Sequence, residues 1–405
     1  MSQPELLLIV HRIPFPPNKG DKIRSFHILE HLSKHYRVHL ATFIDDPQDC
    51  QYISKLDEYC ESTCIVTINP LAGKIKSLFG LFKREPLSVS FYSNKKTQNY
   101  VQQLISQGVE KAVIFSSAMA QFVFDGDQKI HWVADLVDVD SDKWQQYASN
   151  RSGIMKLVYQ REASLLLSWE KRVCEQAAAS LLVSENERAL MSSLVPEQEN
   201  KIYSVPNGVD SIFFSQDESF SRPFASGAPT LVFTGAMDYW ANVDAVTWFV
   251  QEVLPFVWED VSDVQFWIVG SNPTAQVKAL ADDQRVFVTG RVPDVRPYLQ
   301  FSNLCVAPLR IARGIQNKVL EAMAMKKAVV ATHPAMNGLV TADLFDPLVS
   351  DDPMQMANTI KALLDGDETQ VWGERGREYI EAQYDWGQNL EKMTDLIEGA
   401  TVHDE

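Results

Sequence analysis

Three cations and a carboxylate crowd one short stretch of this chain: Arg310, Arg313 and Lys318, with Glu321 three residues after Lys318. Such a set suits a nucleoside diphosphate. Cations meet the phosphates, and a carboxylate accepts hydrogen bonds from a ribose diol. The surrounding pattern puts them where anions bind. Residues 304–308 are a short apolar run ending in Pro308, the reading of a buried parallel strand. Gly314 opens a helix whose Val319, Leu320, Met323 and Ala324 share one face, and residues 328–331 are the next strand. A helix N-terminus at the carboxyl end of a parallel strand turns free N–H groups and the positive end of its dipole outward. Gly314, Ile315, Gln316 and Asn317 are then the backbone that borders the anion, and Arg310 and Lys318 are the cations expected to bind its diphosphate.

Other segments carry weaker signals. Gly235 follows a strand and precedes a helix, so the amides near it and Asn242 can reach a phosphate. The run from Pro14 to Arg24 follows the first strand. Gly20 permits a tight turn there, and Lys19, Lys22 and Arg24 can attract a phosphate or sit as surface charges. Asp138 and Asp140 follow the strand at 132–136; they can orient or deprotonate an acceptor hydroxyl, or cap the next helix. Residues 73–84 place Ile75, Leu78, Phe79 and Phe82 at helical spacing among Lys74, Lys76, Lys83 and Arg84. That pattern suits an anionic membrane surface, and equally a helix packed on its own domain. No His, Cys, Asp or Glu set has convincing metal-ligand spacing, so no metal is expected.

The positioning elements alternate. Strands at 6–10, 38–42, 64–68, 112–115, 132–136 and 180–183 are separated by helical patterns, the longest around 150–178. A second series has strands at 230–234, 264–269, 285–289, 304–307 and 328–331, with a helix at 243–257. Alternation of this kind means doubly wound parallel sheets. The polar stretch 215–228 divides an N-terminal domain, 1–215, from a second, 216–379, and residues 380–400 form a terminal helix. A chain of 405 residues accommodates two such domains. The net charge of −16 argues against nucleic acid as a partner. Five scattered cysteines read as reduced thiols, and no apolar run approaches the roughly 18 residues of a membrane span. The expected location is the cytoplasm or the cytoplasmic face of a membrane.

The run Gly314-Ile-Gln-Asn-Lys-Val-Leu-Glu-Ala-Met-Ala324, together with Asn207-Gly-Val-Asp210, resembles the GT-B glycosyltransferases, in particular glycosyltransferase family 4. That family carries Glu-x7-Glu before Ala-Met-Ala. Glu321 falls on the second Glu, which implies a ribose contact; Arg313 stands where the first Glu normally meets the donor sugar. The segment 290–295, with Arg291 and Val292, is similar to the family loop lining the nucleobase. With Asp-Val-Asp-Ser-x-Lys-Trp144, the set resembles sugar transferases of bacterial exopolysaccharide and PEP-CTERM/exosortase systems. The resemblance implies two Rossmann-like domains facing across a cleft and a terminal helix crossing back to the first. It implies a UDP- or GDP-linked sugar donor, a glycan or lipid-linked acceptor, retention at the anomeric carbon and no metal cofactor. It leaves open a nucleotide-sugar 2-epimerase, which shares the fold, and a non-catalytic donor-binding subunit.

Overall fold

The computed structural model describes residues 3–17, 20–68, 84–124, 130–149, 152–225, 227–312, 314–339 and 342–400. They form two compact units: Met1–Pro206 with Gly387–Glu405, and Asn207–Trp386.

The first unit is built on seven parallel strands: β1 (Glu5–Val10), β2 (Arg37–Ile44), β3 (Ser62–Thr67), β4 (Lys111–Phe115), β5 (His131–Val137), β6 (Ala179–Leu182) and β7 (Ile202–Ser204). Their order is β3-β2-β1-β4-β5-β6-β7. Leu6 to Val10 are fully buried, with Leu8 opposite Leu40 on one side and Val113 on the other. A strand covered on both faces has no polar side to alternate, which is why β1 reads as unbroken Leu, Ile and Val. Sequence pattern missed β7, a three-residue edge too short to show any period. The terminal helix Trp386–Ile397 runs into this unit. The Tyr36 hydroxyl donates to Glu398 Oε1 at 2.5 Å, Lys111 Nζ donates to Glu398 Oε2 at 2.5 Å, and His131 Nε2 lies 3.0 Å from the Leu396 carbonyl.

The second unit has five parallel strands: β8 (Thr230–Thr234), β9 (Gln265–Val269), β10 (Val286–Gly290), β11 (Leu304–Ala307) and β12 (Val329–Ala331), ordered β10-β9-β8-β11-β12. The helix expected at 243–257 is Trp240–Trp248 and Leu254–Trp258, joined by one π turn at Phe249–Val253. Pro255 accounts for the widening, since its ring excludes a regular turn against the carbonyl four residues back. The units divide at Pro206/Asn207, earlier than the expected 215/216. Val209 N donates to the Tyr384 carbonyl at 2.8 Å, and Arg377 donates to the carbonyls of Ser211 and Phe214 at 2.9 and 3.0 Å. The Asn-Gly-Val-Asp turn therefore opens the second unit. Its glycine is required: a Cβ at Gly208 would lie 2.6 Å from Trp386 Cγ.

Candidate functional site

At the carboxyl edge of the second sheet, Gly235 follows β8, Gly270 follows β9, and Gly290 ends β10. The backbones touch. Gly235 N donates to the Val269 carbonyl at 3.0 Å, and a Cβ on Gly270 would fall 1.6 Å from the Gly235 carbonyl oxygen. A Cβ on Gly235 would meet Asn242 Nδ2 at 2.7 Å and Lys318 Nζ at 3.1 Å. Glycine here lets an amide and an ammonium lie directly against the strand end.

Lys318 enters from the helix Asn317–Ala324. Its Nζ donates to Asn242 Oδ1 at 2.5 Å and sits 4.2 Å from the centre of the Phe233 ring. Asn242 Nδ2 donates to the Ala236 carbonyl at 2.8 Å, which fixes which way the amide faces. No carboxylate among the described residues lies within ion-pair distance of Lys318. Burial brings its ammonium down to about 7, against the opposing charge of Glu321. Glu321 lies three residues on, along the same helix face. Burial pushes its carboxyl up to about 7, with Lys318 opposing, and it accepts no hydrogen bond from a described residue. Gln316 gives this helix no side-chain cap, and of its first amides Val319 N donates to the Gln316 carbonyl at 2.9 Å. Gly314, at φ +64°, makes the approach turn, and a Cβ on Gly338 would lie 3.3 Å from its carbonyl carbon, so the two loops meet there. Ile315, Gln316 and Asn317 are partly buried beside it. A half-buried cation, a half-buried carboxylate and uncapped amides together can hold a diphosphate and a vicinal diol.

Residues 228–366 match the family model described as glycosyl transferases group 1. The matched segment lies wholly within the second unit. No curated protein matches the chain. Among solved structures, HepE from Anabaena, determined in complex with UDP and glucose, is 13% identical, with a TM-score of 0.63 over 97% of this chain and 99% of its own. A glycosyltransferase from Rickettsia africae is 13% identical, with a TM-score of 0.65 over 98% and 99%. The N-terminal domain of trehalose-6-phosphate phosphatase from Candida albicans is 14% identical, with a TM-score of 0.68 over 97% and 96%. Whole-chain likeness at this identity establishes the GT-B fold.

Within the second unit, Arg310 is half exposed and bound through Nε and a terminal nitrogen to both oxygens of Asp244, the Nε contact being 3.0 Å. It does not join Lys318 as a free cation. Arg291 is exposed, Val292 packs on the domain core, and Arg313 lies outside the described residues.

The first unit places the remaining expected residues differently. Lys19 and residues 73–83 lie outside the described residues. Gly20 starts the helix Gly20–His35, with nothing within 4 Å of a Cβ built on it. Arg24 corrects the sequence reading. Its guanidinium is 1% exposed and donates to Asp135 Oδ2 at 2.8 Å, with Asp135 fully buried. Lys22 is likewise buried, 2.7 Å from Asp49 Oδ2. These cations face inward onto carboxylates and hold the fold, neither meeting a phosphate nor lying on the surface. Asp138 and Asp140 both face Lys143, at 2.6 and 3.4 Å, so their repulsion is relieved locally. The loop carrying them is held from beneath. Val139 N donates to Glu187 Oε2 at 2.8 Å, and the Ser141 hydroxyl donates to Glu170 Oε2 at 2.5 Å. Burial raises Glu170 to about 8. Val137 takes φ +69°, an unfavourable conformation for a β-branched residue, where β5 turns into this loop.

Sequence reasoning passed over one cluster. His11 and Arg12 leave β1 and meet Asp21 and Asp45: Arg12 Nε donates to both oxygens of Asp45 at 3.0 Å, Arg12 also pairs with Asp21, and His11 Nε2 is 3.3 Å from Asp21. Burial alone would raise Asp21, but the His11 contact and the Arg12 charge outweigh it and bring the carboxyl down to about 2. His11 stacks on Phe115 at 5.4 Å. The available signal was a His-Arg pair directly after a buried strand.

Proposed function

We propose that the protein transfers a sugar from a nucleotide-sugar donor to a glycan or lipid-linked acceptor, with retention, in assembly of a bacterial exopolysaccharide. The observation that carries this reading is the Lys318, Asn242 and Glu321 arrangement behind Gly235, inside a unit that matches group 1 glycosyltransferases. In this reading Glu321 accepts hydrogen bonds from the ribose hydroxyls. Lys318 and the amides at Gly314 to Asn317 take up negative charge as the bond between the anomeric carbon and the diphosphate breaks. Arg310 assists by turning from Asp244. Asp138 positions the acceptor hydroxyl. The cation and the helix terminus supply the charge that a metal would otherwise supply, so transfer proceeds in EDTA. UDP is the first nucleotide to test, since HepE was determined with it.

The test is calorimetric titration of UDP and GDP into the wild type and Glu321→Ala, followed by donor hydrolysis assays in EDTA. Binding of one nucleotide that is lost in the folded variant, with slow donor hydrolysis, supports the reading. Unchanged nucleotide binding in Glu321→Ala sinks it. Loss of transfer in EDTA, restored by magnesium, removes the metal-free step and makes Asp138 and Asp140 candidate ligands.

Docking on the inner face of a membrane is part of the same proposal. Among the described residues no helix is long and apolar enough to cross a membrane. Lys74, Lys76, Lys83 and Arg84 each contribute roughly 1 kcal/mol near an anionic surface. Flotation with phosphatidylglycerol liposomes should recover the wild type and not the variant with all four changed to Ser. Equal recovery returns the segment to a packed helix.

A further inference from the structure

His31, His35 and Glu391 each bring one metal-ligating atom within 4.8 Å of the other two. The histidines are one turn apart on the helix Gly20–His35, and the carboxylate comes from the terminal helix Trp386–Ile397. We propose that this cluster binds a zinc ion that fastens the terminal helix to the first unit.

The donor set fits. Two imidazoles and one carboxylate are a borderline-soft set that favours zinc, leaving the fourth tetrahedral position to water. Zinc–ligand bonds near 2.1 Å put ligand atoms about 3.4 Å apart, so the three, now within 4.8 Å of one another, must draw together by up to about 1.4 Å. His35 and Glu391 are exposed and can turn inward to do this. His31 is the fixed member. It is 6% exposed, and its Nε2 lies 2.9 Å from the Thr394 hydroxyl, a contact of the kind that orients a ligating ring. Glu391 accepts no hydrogen bond from a described residue, so no existing partner has to be displaced.

The position argues for a structural role. The helix Gly20–His35 begins just beyond the carboxyl end of β1 and ends just before β2 starts at Arg37. Its last turn therefore lies at the amino edge of the sheet, away from the strand ends where α/β sheets bind substrates. The ion would reinforce the contacts of Glu398 with Tyr36 and Lys111.

The test uses the untagged full chain, stripped with EDTA and dialysed, and titrated with zinc chloride against a chromophoric chelator. One zinc per chain is expected. His35→Ala and Glu391→Ala should each weaken it by about tenfold or more, and Cys50→Ser, which removes the exposed thiol, should not. Hydrogen exchange across 386–397 should slow on zinc addition in the wild type and not in either variant. These two changes lie at exposed positions, so folding is preserved and is checked by circular dichroism. Zinc binding unchanged in His35→Ala and Glu391→Ala, zinc binding lost in Cys50→Ser, or exchange at 386–397 indifferent to zinc would each overturn the proposal.

Discussion

Charge withdrawn from water is partnered differently in the two units. In the first, Lys22 and Arg24 enter the interior and each meets a carboxylate, Asp49 at 2.7 Å and Asp135 at 2.8 Å. In the second, Lys318 finds a neutral amide and an aromatic face, and Glu321 accepts no hydrogen bond from a described residue. Taking an ion out of water costs several kcal/mol, and only a well-placed partner offsets it. The first unit supplies that partner from its own chain. The second leaves both groups displaced toward neutrality, at about 7 each. A ligand bearing phosphates and hydroxyls would supply what is missing. The lesson is that a cation behind a glycine at a helix start is a candidate ligand site when the fold withholds its counter-charge.

The largest effect should come from breaking the satisfied side of this contrast. Asp135→Ala strands Arg24 in the interior without a counter-ion, at a cost of about 3–5 kcal/mol. Urea unfolding followed in the first unit should show it, while nucleotide binding by the second unit stays intact. A midpoint near that of the wild type would mean that Arg24 had reached water, and the contrast would fail.

Glu321→Ala is the converse. It removes a carboxylate whose burial is unfavourable in the free protein, so unfolding should move little. Nucleotide affinity should fall by about 1.5–3 kcal/mol, the range for a hydrogen bond to a charged group. Loss of stability comparable with that of Asp135→Ala would show Glu321 to be structural.

The two sites are hard to tell apart before folding. Lys19-Gly-Asp-Lys-Ile-Arg24 and Gly314-Ile-Gln-Asn-Lys318 both put cations behind a glycine after an apolar strand. What separates them is remote in the chain: Asp135 lies 111 residues from Arg24, and Asn242 lies 76 from Lys318. Local pattern located nearly every strand, because a strand buried on both faces is continuously apolar. It missed β7 for want of length. It set the unit boundary too late because the carbonyls of residues 211 and 214 are claimed by Arg377, far along the chain. Asp244, the partner of Arg310, lies two residues after Asn242, but nothing in its spacing announces that pair.

The free-state ammonium of Lys318 gives a smaller and more selective test. Lowered to about 7, it is mostly neutral at pH 8. A diphosphate favours the charged form, so binding at pH 8 should take up close to one proton. Affinity should then fall as pH rises above 7, approaching ~tenfold per unit until the bound-state value is reached. Titrations of UDP in buffers of different ionisation enthalpy measure the uptake directly. Lys318→Arg, which stays charged, should abolish it. Uptake of the same size in that variant would assign the proton to another group.

The smallest effect belongs to Arg310, which stands between the two cases: paired like Arg24, but half exposed like a ligand cation. Its pairing with Asp244 is a surface one, worth about 0–1 kcal/mol, so Arg310→Ala should leave unfolding almost unchanged. Binding is more informative. If the guanidinium leaves Asp244 for the diphosphate, Arg310→Ala should weaken UDP by about 1 kcal/mol and leave uridine unaffected. Asp244→Ala should do the reverse, because it releases the cation and removes a competing carboxylate. Equal weakening of UDP and uridine would put the guanidinium against the nucleoside. No change in either would make Arg310 a surface ion pair, leaving Lys318 and the helix amides as the whole of the proposed diphosphate site among the described residues.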